Sequence, residues 1–213
     1  MNSPPWANQH YYQPCPNAYI PPPVYSENAY IDLRIYIPAP YISRYASAKY
    51  PNLNPILAAD TMLLHFDVKK TPQSQIPVPT YYSYRHVPAM VHRASHVRLI
   101  SKAFPWTIDI IPDAQAPVTC QAVWKALYDA LQEPLVDSEW GLIVGVKRLR
   151  ETVEKAVKKR IEDGGMGEDK KRIDFLGDVT LFKGLERDEE FEKVRLLPGE
   201  KPCPETWVVK LAS

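Results

Sequence analysis

Ten of the 22 prolines in this 213-residue chain fall within its first 51 residues, and nine of its 13 tyrosines fall there too. Proline lacks the backbone N–H and fixes φ, so neither a helix interior nor a central strand can run through such a stretch. The apolar residues there do not recur at helical spacing. A segment of this kind buries too little surface to offset the entropy of ordering it. Residues 1–51 are therefore expected to form a Pro/Tyr-rich disordered tail with polyproline-II character. One patch complicates this. "AYIDLRIYIP" (29–38) alternates like a strand, with Ile31, Leu33, Ile35 and Ile37 on one side, and could pack on a folded domain as an edge strand.

Within the tail, "PPPVY" (21–25) contains Pro22-Pro23-Val24-Tyr25, which reads P-P-x-Y. A WW domain clamps a proline pair between aromatic rings and takes the tyrosine in a second pocket. Polyproline-II is nearly preformed, so little entropy is lost on binding. The same composition makes chance matches common, with about 0.3 expected in a tail of this length and bias. Pro22, Pro23 and Tyr25 are the candidate partner site, and a WW-domain protein is the candidate partner.

Residues 52–213 are expected to form a single folded domain, since about 160 residues can bury close to 70% of their extended-chain surface. "TMLLHFDV" (61–68) alternates as a half-buried strand, with Met62, Leu64, Phe66 and Val68 on one side. Residues 69–95, with Pro72, Pro77, Pro79 and Pro88, read as a long loop. "HVRLIS" (96–101) and "WTIDII" (106–111) read as a hairpin, Trp106, Ile108 and Ile110 sharing a face. Thr119 is a good N-cap for a helix whose apolar line is Val123, Leu127 and Leu131, stopped by Pro134. Asp137 or Ser138 caps a second helical stretch, lined by Val146, Leu149, Val153, Val157 and Ile161 and closed by Gly164-Gly165. Glu151–Lys155 and Glu154–Lys158 are spaced to pair along it. "RIDFL" (172–176), "VTLFKGL" (179–185) and "TWVVKLA" (206–212) read as strands, with a charged excursion before the last. The expected fold is α+β: a mainly antiparallel sheet with two main helices packed on one face.

Lys+Arg number 26 and Asp+Glu 25, so overall charge selects for neither nucleic acid nor a membrane surface. Cys15, Cys120 and Cys203 lie far apart and make neither a disulfide framework nor a zinc site. Pro4, Pro5, Asn8 and Gln9 do not suit a signal peptide, and no run is apolar enough to span a membrane. The expected location is the cytosol or nucleus.

Several residues invite chemistry. His65 and Asp67 point the same way on a strand, as a metal or acid–base pair would, or as a solvent-facing stripe. His92 and His96 have the i,i+4 spacing of helical zinc ligands, but Arg93 stands where a glutamate base would follow His92. Asp174 among apolar neighbours suits a general acid, or a carboxylate bonded to amides and a cation. Cys120 at a helix start suits an activated thiol, though no histidine is near in sequence. "KRLRETVEKAVKKR" (147–160) interleaves basic residues with glutamates, as a solvated helix face does. A nucleic-acid surface would need Arg148, Lys155, Lys158 and Lys159 to stand uncompensated. "GGMG" (164–167) follows a helix instead of leading into one, so it offers a phosphate no helix N-terminus.

The order of "PWTIDI" (105–110), "VTCQAVWKALYDAL" (118–131), "EWGLI" (139–143), "KRIDFL" (171–176), "LFKGL" (181–185) and a terminal W-x-V (207–209) resembles an uncharacterised domain family abundant in mushroom-forming, basidiomycete fungi. The resemblance covers roughly residues 60–212. The family often has an acidic residue where this chain has Ala122, and a more proline-rich stretch than "RASHV" (93–97). It implies a fold and a fungal source. It brings no activity, substrate, cofactor or catalytic residue. The reading of the whole is a non-catalytic intracellular protein-interaction domain, needing no cofactor, with a tail that carries the partner site. The alternative is a small-ligand binder or enzyme with a site built from His65, Asp67, Cys120 or Asp174.

Overall fold

A computed structural model describes residues 46–112, 116–164, 167, 169–196 and 202–213. Pro22, Pro23, Tyr25, Cys15 and the alternating stretch 29–38 lie outside the described residues. The elements run, in chain order, β1 (Phe66–Asp67), α1 (Pro72–Gln75), α2 (Val78–Tyr84), β2 (Val97–Ser101), β3 (Ile108–Ile110), α3 (Cys120–Gln132), α4 (Asp137–Val144), α5 (Lys147–Glu162), α6 (Arg172–Phe175), β4 (Leu181–Glu186), α7 (Glu189–Arg195) and β5 (Thr206–Ala212).

The five strands form one sheet in the order β1-β4-β5-β2-β3. β1–β4, β4–β5 and β2–β3 are antiparallel, whereas β2–β5 is parallel, with Leu99 opposite Trp207. The sheet is thus mixed. The parallel pair follows from the helices between β2 and β5, since parallel neighbours need a long crossover.

α3 is the central helix. Thr119 Oγ1 accepts from the Ala122 amide at 3.2 Å and caps it. Val123, Trp124, Leu127 and Leu131 are buried from it, against Val97, Leu99, Ile108, Phe182, Trp207 and Val209 of the strands. Burying each large side chain contributes roughly 1.5–3 kcal/mol. The second expected helix differs in two ways. It breaks at Gly145 into α4 and α5, and α5 packs on α4 and α6 instead of on the sheet. Val153 is the one residue of α5 buried from solvent, and Val146 and Ile161 are exposed, so its apolar line is too thin to seat it on the core. Its ion pairs run Lys147–Glu151, Arg150–Glu154 and Lys158–Glu162, not in the register expected.

Three further readings are corrected. Residues 69–95 contain α1 and α2, because Pro72 and Pro79 sit in first turns, where a missing N–H costs nothing. Within residues 172–176, Arg172–Phe175 is the short helix α6 and not a strand. Asp174 accepts from the Lys171 amide at 2.8 Å, and Ile173 and Leu176 bury one side of a single turn. The strand at 61–68 shrinks to Phe66–Asp67. Met62 has φ 50 and turns outward, while Leu64, Phe66 and Val68 keep the buried alternation.

Two contacts bring the start of the described chain into the domain. Ser47 Oγ donates to Asp60 Oδ1 at 2.7 Å and accepts from the Tyr50 amide at 2.7 Å. The Tyr50 ring meets Trp207 edge-on at 5.8 Å. Beyond them, residues 57–59 lie against β4. Leu185 N donates to Leu57 O at 2.7 Å and Ala59 N to Leu185 O at 3.0 Å. This contact falls where the β4–β5 register shifts, and Gly184 makes it with φ 107.

Candidate functional site

The residues singled out for chemistry are not brought together. His65 is exposed beside β1, and Asp67 uses Oδ1 to accept from the Lys69 amide at 2.9 Å. His92 and His96 lie on the irregular chain before β2, each against a different carboxylate. His92 Nε2 is 2.9 Å from Glu205 Oε1, and His96 Nε2 is 2.6 Å from Asp109 Oδ1. Asp174 is buried but satisfied. Arg160 Nε and Nη2 each reach one of its oxygens at 3.0 Å, and the Lys171 amide adds a third bond. This is a buried bidentate pair that ties α5 to α6.

Cys120 is fully buried at the start of α3, and burial pushes its thiol far above the usual range. An activated nucleophile needs the opposite shift. Cys120 and Cys203 are free thiols, both buried. On α5, Lys158 pairs with Glu162 and Lys159 with Asp178, so the basic face is compensated at two of its four positions. Among the described residues, no group of three or more His, Cys, Asp and Glu side chains could hold a metal ion.

What the structure does assemble is a polar junction at the end of the hairpin. Glu139, in the first turn of α4, reaches back to accept from the Val136 amide at 3.1 Å with Oε2. Its Oε1 accepts from Trp106 Nε1 at 2.7 Å and from Arg172 Nη2 at 2.8 Å. Arg172 also pairs with Glu133 and stacks over the Trp106 ring at 5.1 Å. Phe175 meets the same ring edge-on at 5.2 Å. The β2–β3 hairpin, the end of α3, α4 and α6 are thus fastened at one place. Burial pushes the Glu139 carboxyl up, but Arg172, the Val136 amide and the Trp106 N–H together outweigh it and hold it below the usual range. Both oxygens are occupied, so the carboxylate is a fastening and not a free base.

A second hub surrounds Glu205. Its Oε1 faces His92, while Oε2 accepts from Arg187 Nη2 at 2.8 Å and Trp207 Nε1 at 3.3 Å. The Arg187 guanidinium lies over the Trp207 ring at 4.5 Å. Close by in the sheet, Arg98 Nε donates to Asp109 at 2.9 Å. Burial raises the Asp109 carboxyl, and Arg98 and His96 more than reverse that.

Glu139, Arg172, Arg187 and Glu205 are absent from the residues that sequence reasoning selects. Only Glu139 carries a local signal, a carboxylate three residues past a helix entry. The other pairings join elements distant in the chain, and sequence spacing does not encode them.

A hollow of about 490 Å³ is lined by Glu154, Val157, Lys158, Ile161, Glu162 and Lys170. It is an open groove along α5. None of His65, Asp67, Cys120 and Asp174 lines it. No helix among the described residues is long and apolar enough to cross a membrane.

These features define a mixed α/β domain in which Asp174, Glu139 and Glu205 are each bonded within the fold. The chain belongs to a family of unknown function, DUF6699, whose model matches residues 64–192. No curated protein matches the chain, and no solved structure matches it. Trp106, Glu139 and Arg172, which join in the polar junction, come from three of the segments that carry the family resemblance.

Proposed function

We propose that the protein is a non-catalytic, intracellular interaction protein: an α/β domain carrying a tail whose Pro22-Pro23-Val24-Tyr25 docks on a WW domain. A source in basidiomycete fungi goes with this reading and rests on the resemblance alone. One observation carries the reading. None of His65, Asp67, Cys120 and Asp174 lines the groove on α5, and Asp67 and Asp174 are bonded locally. A site for chemistry needs converging polar groups in a concave pocket. That leaves the linear P-P-x-Y peptide as the most specific recognition element in the chain. A WW-containing ubiquitin ligase is a suitable partner class. The test is a fluorescence titration of purified WW domains with the full chain and with its Tyr25→Ala variant. Saturable binding that the variant loses supports the reading. Equal binding by both chains, or none by either, rejects it.

A further inference from the structure

The sheet has a second face. Val97, Leu99, Trp207 and Val209 turn into the core, so strand alternation turns Arg98, Ile100, Thr206 and Val208 the other way. Ile100 and Val208 are register partners in the parallel β2–β5 pair. Both are buried, although neither belongs to the main core. Helix α7 lies against Ile100. Its Glu192 and Arg195, with the following Leu196, close on Arg98, Ile100, Thr107 and Thr206 around a remnant space of only about 10 Å³.

The attachment of α7 differs from that of every other described element. It buries no residue of its own, and Val194 is 82% exposed. Its backbone packs closely along no other helix or strand. Side-chain tips hold it instead. Lys102 Nζ donates to Asp188 at 2.6 Å at its N-terminal end. Arg195 donates to the Pro105 and Trp106 carbonyls at its other end. Both cations lie over the Phe191 ring, Lys102 Nζ at 5.5 Å and Arg195 Cζ at 5.9 Å from its centre. The Lys102–Asp188 pair, with Lys102 largely exposed, is of the weak surface kind.

The base of the excursion is closed separately. Arg187, where the chain leaves β4, donates to Pro204 O at 2.9 Å and to Glu205 at 2.8 Å, where the chain enters β5. Releasing the contacts of α7 leaves this clasp and both strands in place. Elements with little buried apolar contact open locally, below the free energy of global unfolding.

We propose that α7 is a displaceable strap, which lifts as a unit while the sheet stays folded and so uncovers the Ile100–Val208 pair beside Arg98. The strap rests on the fold alone and stands apart from the WW reading.

The test uses thiol labelling of the full chain carrying Ile100→Cys, read peptide by peptide by mass spectrometry. Cys120, in the main core, reports global unfolding. Labelling at position 100 is expected at least about tenfold faster than at Cys120, and Lys102→Ala is expected to raise it about threefold further without moving Cys120. Equal rates at the two positions, or no response to Lys102→Ala, would overturn the strap. Hydrogen exchange on the unmodified chain guards against a packing defect at position 100. The amides of residues 194–196 should exchange about 100-fold faster than those of 207–209, at a rate insensitive to urea well below the unfolding midpoint. Exchange in step with 207–209 would equally overturn it.

Discussion

Glu139 shows how one side chain can fasten several elements. It is partly buried, accepts from Trp106, Arg172 and the Val136 amide, and has a carboxyl held below the usual range. A group with a depressed folded pKa stabilises above its unfolded pKa, and that contribution disappears as pH falls through the folded value. Glu139→Gln should therefore cost about 1–3 kcal/mol at pH 7, and the deficit should shrink toward zero below the lowered carboxylate range. Urea unfolding of both chains at pH 7 and in acid checks this; a deficit independent of pH would contradict it. Gly184 acts through its backbone. At φ 107, a Cβ would stand 2.6 Å from Ala59 Cα and 2.7 Å from Ala59 N. Gly184→Ala should lose about 2–4 kcal/mol, from strain and from pushing residues 58–59 off β4. Gly141, on α4, is the control, because a Cβ added there would meet nothing within 4 Å beyond its own helix backbone and chain neighbours. Gly141→Ala should be neutral or slightly stabilising in the same thermal melts.

At the scale of elements, what is legible in the sequence is what carries its own periodicity. β2, β5 and α3 each show a full apolar line and lie where that pattern puts them, while β3 keeps Ile108 and Ile110 of its expected face but not Trp106. The misread elements carry short or mixed patterns. Ile173 and Leu176 are three apart, the spacing of one helical turn, but inside "RIDFL" the β-rich run conceals it. The division of α4 from α5 at Gly145 is hidden because the apolar residues continue across the break. The polar junction is illegible for another reason, since Trp106, Glu139 and Arg172 meet only after three elements have packed. β5 is the element on which the others depend most. It lies between β4 and β2, and Trp207 and Val209 enter the core from it. Removing it would leave two separate strand pairs, each marginal alone. A chain ending at Glu205 should lose cooperative urea unfolding and near-ultraviolet dichroism; retention of both would contradict that central role.

At the scale of the molecule, the family match and the fold do not share a boundary. The match ends at residue 192, inside α7, while the sheet is completed by Thr206–Ala212. At the other end, Ser47 and Tyr50 already pack on the domain, before the match begins at residue 64. The structural unit is therefore larger than the matched segment. Its polar chemistry is directed inward, to Asp174–Arg160, Glu139–Arg172 and Glu205–Arg187. Under the proposed function, recognition falls to the P-P-x-Y peptide and support to the domain. The most direct test captures partners from a cell extract with the full chain and with Tyr25→Ala, and compares them by quantitative mass spectrometry. The account predicts that WW-domain proteins are enriched by the first and lost by the second. An unchanged set of partners would contradict it and return the function to the folded domain.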